Sequence, residues 1–67
     1  MAIVVAPGSL EIIKARATYP LKLIWPRGAR VVAPRGKCRR VAGGRLEVEY
    51  SSREELEAAL RLAKARD

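Results

Sequence analysis

The sequence predicts a small α+β fold: a small antiparallel sheet or partly open barrel of four to five short strands, followed by one C-terminal helix. Residues 1–50 hold short apolar segments separated by Pro- and Gly-containing turns, a pattern typical of strands. Residues 52–66 instead place apolar residues at helical spacing. Because the chain has 67 residues, the strands and the helix are expected to share one core in a single small domain, 1–67.

The helix, predicted at about residues 52–66, has the clearest local signals. Ser52 and Glu55 have the spacing of a capping box, in which each supplies a partner for backbone N–H groups of the first turn. The first turn is acidic and the last carries Lys64 and Arg66, which suits the helix dipole. The apolar face expected to cover the sheet consists of Leu56, Ala59, Leu60 and Ala63, widened by Leu62.

The strand candidates are residues 1–6, 10–18, 21–25, 29–33, 37–42 and 45–50, and the first of them is expected to be buried. Residues 10–18 fit two patterns. As a helix, Ser9 would cap it and Leu10, Ile13 and Ala17 would form an apolar stripe. We favour a strand there, because Pro7-Gly8 is a turn signal that would join it to the first strand in a hairpin.

Two Pro-Arg-Gly tripeptides, at residues 26–28 and 34–36, predict two turns of similar chemistry. Proline is expected at the second turn position, where it fixes φ, and glycine supplies a positive φ. Each turn would hold its arginine, Arg27 or Arg35, at a loop tip.

Gly43-Gly44 predicts a hairpin between residues 37–42 and 45–50. In the second strand, Leu46, Val48 and Tyr50 alternate with Glu47 and Glu49, which are expected to pair with Arg39 or Arg40 across the hairpin. A two-residue turn opposes Arg39 to Val48, and a three-residue turn opposes Arg40 to it. Either register places one arginine on the apolar side of the sheet. A bulge or an edge position would relieve that conflict.

The charge is concentrated in one part of the chain. Residues 14–45 carry ten Lys or Arg and no Asp or Glu, whereas the flanking segments are nearly neutral or slightly acidic, within a total of +7. Such a block indicates an anionic partner, and arginine suits phosphate because its planar guanidinium donates two parallel hydrogen bonds. The sequence therefore predicts non-catalytic binding of nucleic acid, DNA or RNA, through phosphates and with low sequence specificity. The candidate binding residues are Lys22, Trp25, Arg27, Arg30, Arg35, Lys37, Arg39, Arg40 and Arg45.

The aromatic residues and the partner class leave alternatives open. Trp25 and Tyr19 could stack on bases or pack in the core, and Tyr50 is expected in the core. The alternative function is a protein-interaction subunit, either a homodimer or a component of a larger, possibly ribonucleoprotein, assembly whose basic face docks on an acidic partner. Small basic archaeal chromatin proteins share the order of strands followed by a C-terminal helix, which is an analogy of shape without a shared residue motif.

Several chemistries are excluded or disfavoured. Cys38 is the one cysteine and there is no histidine, so neither an intrachain disulfide nor the usual set of zinc ligands is available. No phosphate-binding loop motif occurs, and nothing supplies Cys38 with a general base. We expect no enzymatic activity, cofactor, metal, small-molecule substrate or membrane contact, and a cytoplasmic location. The absence of Asn and Gln beside many charged residues predicts a thermophilic source.

Overall fold

The computed structural model describes residues 2–66, and the side chains as far as residue 62. It confirms a small α+β fold with a C-terminal helix. Four strands form one open sheet rather than a barrel, in the order β1-β2-β4-β3. The elements are β1 (Ala2–Val4), α1 (Leu10–Arg16), β2 (Leu21–Trp25), β3 (Cys38–Val41), β4 (Arg45–Tyr50) and α2 (Arg53–Arg66). No helix within the described range is long and apolar enough to span a bilayer.

The predicted strand at residues 10–18 is wrong, because Leu10–Arg16 forms α1. The apolar stripe expected for the helical alternative is the face of α1 that packs against the core. Ile13 is buried, and Leu10 and Ala17 lie against the core, whereas Ile12 is 62% exposed. Five of the seven residues in α1 are strong helix formers. The prediction of a strand gave more weight to the Pro7-Gly8 turn signal than to this helix propensity.

The helix changes the topology of the sheet, which is mixed and not purely antiparallel. β1 runs parallel to β2, with Ile3 opposite Leu23, and α1 lies in the connection between them. Parallel neighbours need such a crossover, whereas a tight turn can join only antiparallel strands. β1 is also an edge strand and not a buried one: Ile3 is 39% and Val4 54% exposed, and the predicted first residue of this strand, Met1, lies outside the described range.

The predicted strand at residues 29–33 does not form. β2 and β3 are both antiparallel to β4, so the chain must cross from one end of the sheet to the other between Trp25 and Cys38. Residues 26–37 make that crossing without a helix. Ala29, Val31 and Ala33 nevertheless pack against the core, as alternate residues of an extended segment would.

Both Pro-Arg-Gly turns form, but proline occupies the first turn position and not the second. The Ala29 N–H donates to the Pro26 carbonyl, and the Lys37 N–H donates to the Pro34 carbonyl, each at 3.1 Å. Arginine therefore takes the second position. Gly28 takes the third with φ +84°, a conformation that glycine adopts without strain.

The hairpin adopts neither predicted register. Its loop is Ala42–Gly44, which places Cys38 opposite Val48, Arg39 opposite Glu47, and Arg40 opposite Leu46. Arg40 is thus the arginine that lies on the apolar side of the sheet. Both predicted registers also placed one arginine there. The conflict is relieved by the edge position of β3, where Arg40 is exposed, and the pairing is unbroken by a bulge.

α2 begins as predicted. The Ser52 hydroxyl accepts a hydrogen bond from the Glu55 N–H at 3.2 Å. The Glu55 carboxylate accepts from the N–H of Ser51, one residue earlier than in a capping box, at 2.8 Å. Leu56 and Ala59 are buried, whereas Leu62 is 54% exposed and does not widen the packed face. The predictions for Ala63, Lys64 and Arg66 fall outside the described side chains.

The core lies between one face of the sheet and the two helices. Its fully or nearly fully buried residues come from β2, β4, α1 and α2: Ile13, Leu21, Leu23, Trp25, Val48, Tyr50, Leu56 and Ala59. The alternate residues of β2 and β4, among them Lys22, Ile24, Glu47 and Glu49, lie on the opposite face, which no helix covers. We call this second surface the open face.

Candidate nucleic-acid interface

The predicted basic residues do not form one surface. They divide between the open face, one end of the sheet and the crossing segment 26–37. The division follows from the strand register, which alternates side chains between faces and sends the two Pro-Arg-Gly turns to opposite ends of the sheet. Each group therefore has a different electrostatic environment.

On the open face, two of the basic residues are paired with acids. Arg39 Nε donates to Glu47 Oε1 at 2.7 Å, and Lys37 Nζ lies 3.5 Å from Glu49 Oε2. The hydrogen bond from Arg39 is the main cause that lowers the pKa of Glu47 below its ordinary value. Lys22 lies on the same face and also favours the charged form of Glu47. These contacts confirm the predicted cross-hairpin pairing for Arg39, and they reduce the charge available to a phosphate.

At the end of the sheet where Trp25, Val41 and Arg45 lie, three arginines surround the hairpin loop. Arg27 lies across Gly44, with its Cγ and Cδ 3.2 and 3.1 Å from the position that a Cβ on Gly44 would take. Arg40 lines a shallow depression with Gly44, whose other walls are Pro26, Gly28, Ala29 and Leu46. Arg45 Nε donates to the Ala42 carbonyl at 3.0 Å. We call Arg27, Arg40 and Arg45 the loop-end arginines.

None of the loop-end arginines forms an ion pair with a carboxylate among the described side chains. Arg27 and Arg40 are exposed, and Arg45 is half-buried. Three guanidinium groups without described counter-charges at the same end of the sheet create a positive potential that favours binding of an anion.

Arg30 and Arg35 lie apart from this cluster. Both are exposed on residues 26–37, and neither is paired with a described carboxylate. Arg35 projects from the turn that precedes β3, at the opposite end of that strand from the loop-end arginines. β3 has four residues and is roughly 13 Å long at about 3.3 Å per residue.

Trp25 belongs to the core and not to the surface, which corrects its assignment as a binding residue. It is 7% exposed, and its Nε1–H donates to the Tyr50 hydroxyl at 3.2 Å. Both residues point to the helix side of the sheet, because Trp25 pairs with Leu46 and Tyr50 with Leu21 in the β2–β4 register. Burial raises the pKa of Tyr50 above its ordinary value, and the hydrogen bond from Trp25 partly opposes that rise. In this structure Trp25 has no ring face open to a base.

Tyr19 is half-buried and packs against the core. Its hydroxyl oxygen is inaccessible to solvent and has no hydrogen-bond partner among the described residues. The side chain therefore presents no polar tip at the surface, and a stacking role finds no support in its placement.

Cys38 is in a strand, as expected, but it is exposed on the β3 edge rather than tucked into the sheet. Within the described part of the chain, no three side chains of His, Cys, Asp or Glu come together as metal ligands. The chemistry that the surface can offer is thus electrostatic attraction and hydrogen-bond donation.

Sequence reasoning missed the role of Gly44, which was treated only as a turn residue. Its lack of a side chain, and its φ of +73°, let the stem of Arg27 cross the hairpin loop. The signal was available in part, because a Gly-Gly pair leaves space above the backbone for a neighbouring side chain. Which side chain occupies that space depends on the strand order, which local sequence patterns do not predict.

No protein-family model matches the chain, and comparisons with curated proteins and with solved structures also find no match.

Proposed function

We propose that the chain is a non-catalytic nucleic-acid-binding protein whose loop-end arginines contact phosphate groups. The observation that carries the proposal is that Arg27, Arg40 and Arg45 flank the Ala42–Gly44 loop at one end of the sheet, Arg40 from the helix side and Arg45 from the open face, without a described acidic partner. Their guanidinium groups offer planar pairs of N–H donors, which match the oxygens of a phosphate.

The charge balance supports a polyanion over a single small anion. Arg30 and Arg35 add two charges away from the loop end, and neither forms an ion pair with a described carboxylate. Charges spread in this way over a molecule measuring 29 × 27 × 26 Å can meet several phosphates of one backbone at once. Release of the counterions that those phosphates hold then contributes to affinity.

The surface offers little for reading a base sequence. Phosphate contacts set affinity and position, whereas base-edge contacts set specificity. The loop-end arginines lie on a turn, on the edge strand β3 and at the start of β4, and none of them lies on a helix that could enter a groove. Low sequence specificity follows from this arrangement.

A binding titration at several salt concentrations tests the proposal. The double substitution Arg27→Ala with Arg40→Ala should weaken binding about tenfold or more at low salt, and should reduce the slope of log affinity against log salt by roughly 2. The matched control is Arg16→Ala with Arg61→Ala, which removes the same charge from exposed positions on the helices. If the wild-type chain binds neither DNA nor RNA at low salt, the proposal is wrong.

One observation favours the alternative of a protein-interaction subunit, in the form of a homodimer. The β1 edge carries no charge and exposes Val4, whereas the β3 edge carries Arg39 and Arg40. Charged side chains on an edge strand discourage pairing with another strand, so β1 is the edge open to a second copy. A mass measurement by light scattering tests this alternative. A dimer that Val4→Lys converts to a monomer supports it, and a wild-type monomer contradicts it.

A further inference from the structure

We infer that the nucleic acid bound is a duplex rather than a single strand, an inference that rests on the proposed function. It concerns the same surface and depends on where the chain keeps its aromatic rings. Single-strand binders gain affinity by stacking bases on aromatic side chains, at roughly 1–3 kcal/mol per base. A protein without accessible rings must rely on phosphates.

All three aromatic residues of the chain lie within the described range; two of them are buried and the third, Tyr19, is half-buried. Trp25 is 7% and Tyr50 0% exposed, and the two are joined by a hydrogen bond. Tyr19 packs against the core with its hydroxyl hidden from solvent. The chain has no phenylalanine or histidine that could take their place.

The open face gives a second and independent reason. An uncovered sheet surface is where several single-strand binders lay their nucleotides, with aromatic residues on the central strands. Here the central strands β2 and β4 present Lys22, Ile24, Glu47 and Glu49 instead. The two carboxylates occupy the middle of the face and engage Arg39 and Lys37. Because these ion pairs neutralise two of the cations on this face, a phosphate chain crossing it would meet little free positive charge and no ring.

The cations without a described carboxylate partner lie on turns and on an edge strand rather than in a channel. Arg27 and Arg35 occupy turns at opposite ends of the sheet, and Arg40 lies on an edge strand. Projecting charges can reach a rigid backbone from outside, without the strand having to bend into the protein. A duplex also offers more charge within reach, since it carries one phosphate per about 1.7 Å of its axis.

The higher charge density of a duplex and the lack of a described surface for stacking bases therefore both favour a duplex over a single strand. Both DNA and RNA duplexes satisfy the phosphate chemistry, and separate arms of one experiment distinguish them. The discriminating comparison is between a duplex and each of its two separated strands, measured with the full wild-type chain.

The experiment measures binding of a mixed-sequence duplex, of its component strands and of an unstructured oligothymidine, at about 50 mM and about 200 mM salt. Intrinsic fluorescence of Trp25 is recorded in the same titrations. We expect the DNA or RNA duplex to bind about tenfold or more tightly than any single strand, with Trp25 emission unchanged. Equal or tighter binding of a single strand, or quenching of Trp25 by bound bases, would overturn the inference while leaving the proposed function intact. Failure of every nucleic acid to bind would instead overturn the proposed function.

Discussion

The Nε1–H of Trp25 donates a hydrogen bond to the Tyr50 hydroxyl at 3.2 Å inside the core. This contact joins the two central strands and keeps the largest rings of the chain away from solvent. It also satisfies two polar groups whose burial would otherwise be costly. The core and the open face are therefore linked, because the same strands that bury these rings present charged residues on that face.

Tyr50→Phe removes the acceptor and leaves the indole N–H of Trp25 buried without a partner. We expect the free energy of unfolding to fall by roughly 1–3 kcal/mol, measured by urea denaturation. An unchanged midpoint and slope would show that the bond contributes nothing to stability.

The same residue predicts a loss of stability at alkaline pH. Because burial raises the pKa of Tyr50, the unfolded chain releases this proton before the folded chain does. The contribution of Tyr50 is complete below the unfolded pKa near 10 and is lost as pH rises through the higher folded pKa. Stability curves from pH 8 to 12 should fall less steeply for Tyr50→Phe than for the wild type. Parallel curves would contradict the assignment.

Tyr19→Phe tests the opposite situation to Tyr50→Phe, because it removes a hydroxyl that accepts no described hydrogen bond. Its hydroxyl is buried without a described partner, so removing the oxygen should leave stability unchanged or raise it by up to about 1 kcal/mol. A clear destabilisation in urea would mean that the hydroxyl has a partner in solution.

Ile13→Ala and Ile12→Ala test the face that α1 presents to the core. Ile13 is 7% and Ile12 62% exposed, so the first substitution should cost roughly 2–5 kcal/mol and the second less than about 1 kcal/mol. Equal costs would contradict the placement of α1. If Ile13→Ala does not fold, Ile13→Val provides a milder change with an expected cost of about 0.5–1.5 kcal/mol.

Arg39→Ala should release the Glu47 carboxyl from the hydrogen bond that lowers its pKa. In the wild type, the contribution of Glu47 to stability is present above the unfolded carboxyl pKa and is lost as pH falls through the lower folded pKa. Carbon-detected titration of the carboxyl should show the pKa of Glu47 rising toward its ordinary value in Arg39→Ala. An unchanged pKa would mean that the pair does not persist in water.

A comparison of Gly44→Ala with Gly43→Ala distinguishes the effect of backbone strain from the effect of displacing Arg27. Both glycines have positive φ, so each substitution should destabilise the fold by about 1–2 kcal/mol. Only the methyl group on Gly44 meets Arg27, at 3.1 Å, whereas the nearest atom to one on Gly43 is Arg45 Nε at 3.8 Å. Gly44→Ala should therefore weaken nucleic-acid binding more than Gly43→Ala. Equal binding would exclude a role for Arg27 in this position.

The sequence was a good guide to local features and a poor one to their assembly. The helix after Ser52, the two Pro-Arg-Gly turns, the Glu47–Arg39 pairing and the burial of Tyr50 were predicted because each depends on neighbours or on simple alternation. The α+β class followed from the same signals.

The parts that failed depend on contacts distant in sequence. Residues 10–16 satisfy both periodicities, and the choice was decided by a crossover that makes β1 parallel to β2. Residues 29–33 alternate like a strand but pair with no described strand, because they belong to the segment that crosses from the end of β2 to the start of β3. The charge block looked continuous along the chain, yet strand order brought Glu47 and Glu49 into its middle.

The central claim is that phosphate meets the loop-end arginines and not the part of the open face around Lys22, Glu47 and Glu49. Its most direct test is nuclear magnetic resonance of the wild-type chain, following backbone amides and arginine Nε–H signals during titration with a short duplex. We predict the largest shifts at Arg27, Arg40, Arg45 and the amides of Gly43 and Gly44, and small ones at Ile24 and Glu47. Shifts concentrated on Lys22, Ile24 and Glu47, with the loop-end signals unmoved, would contradict the claim.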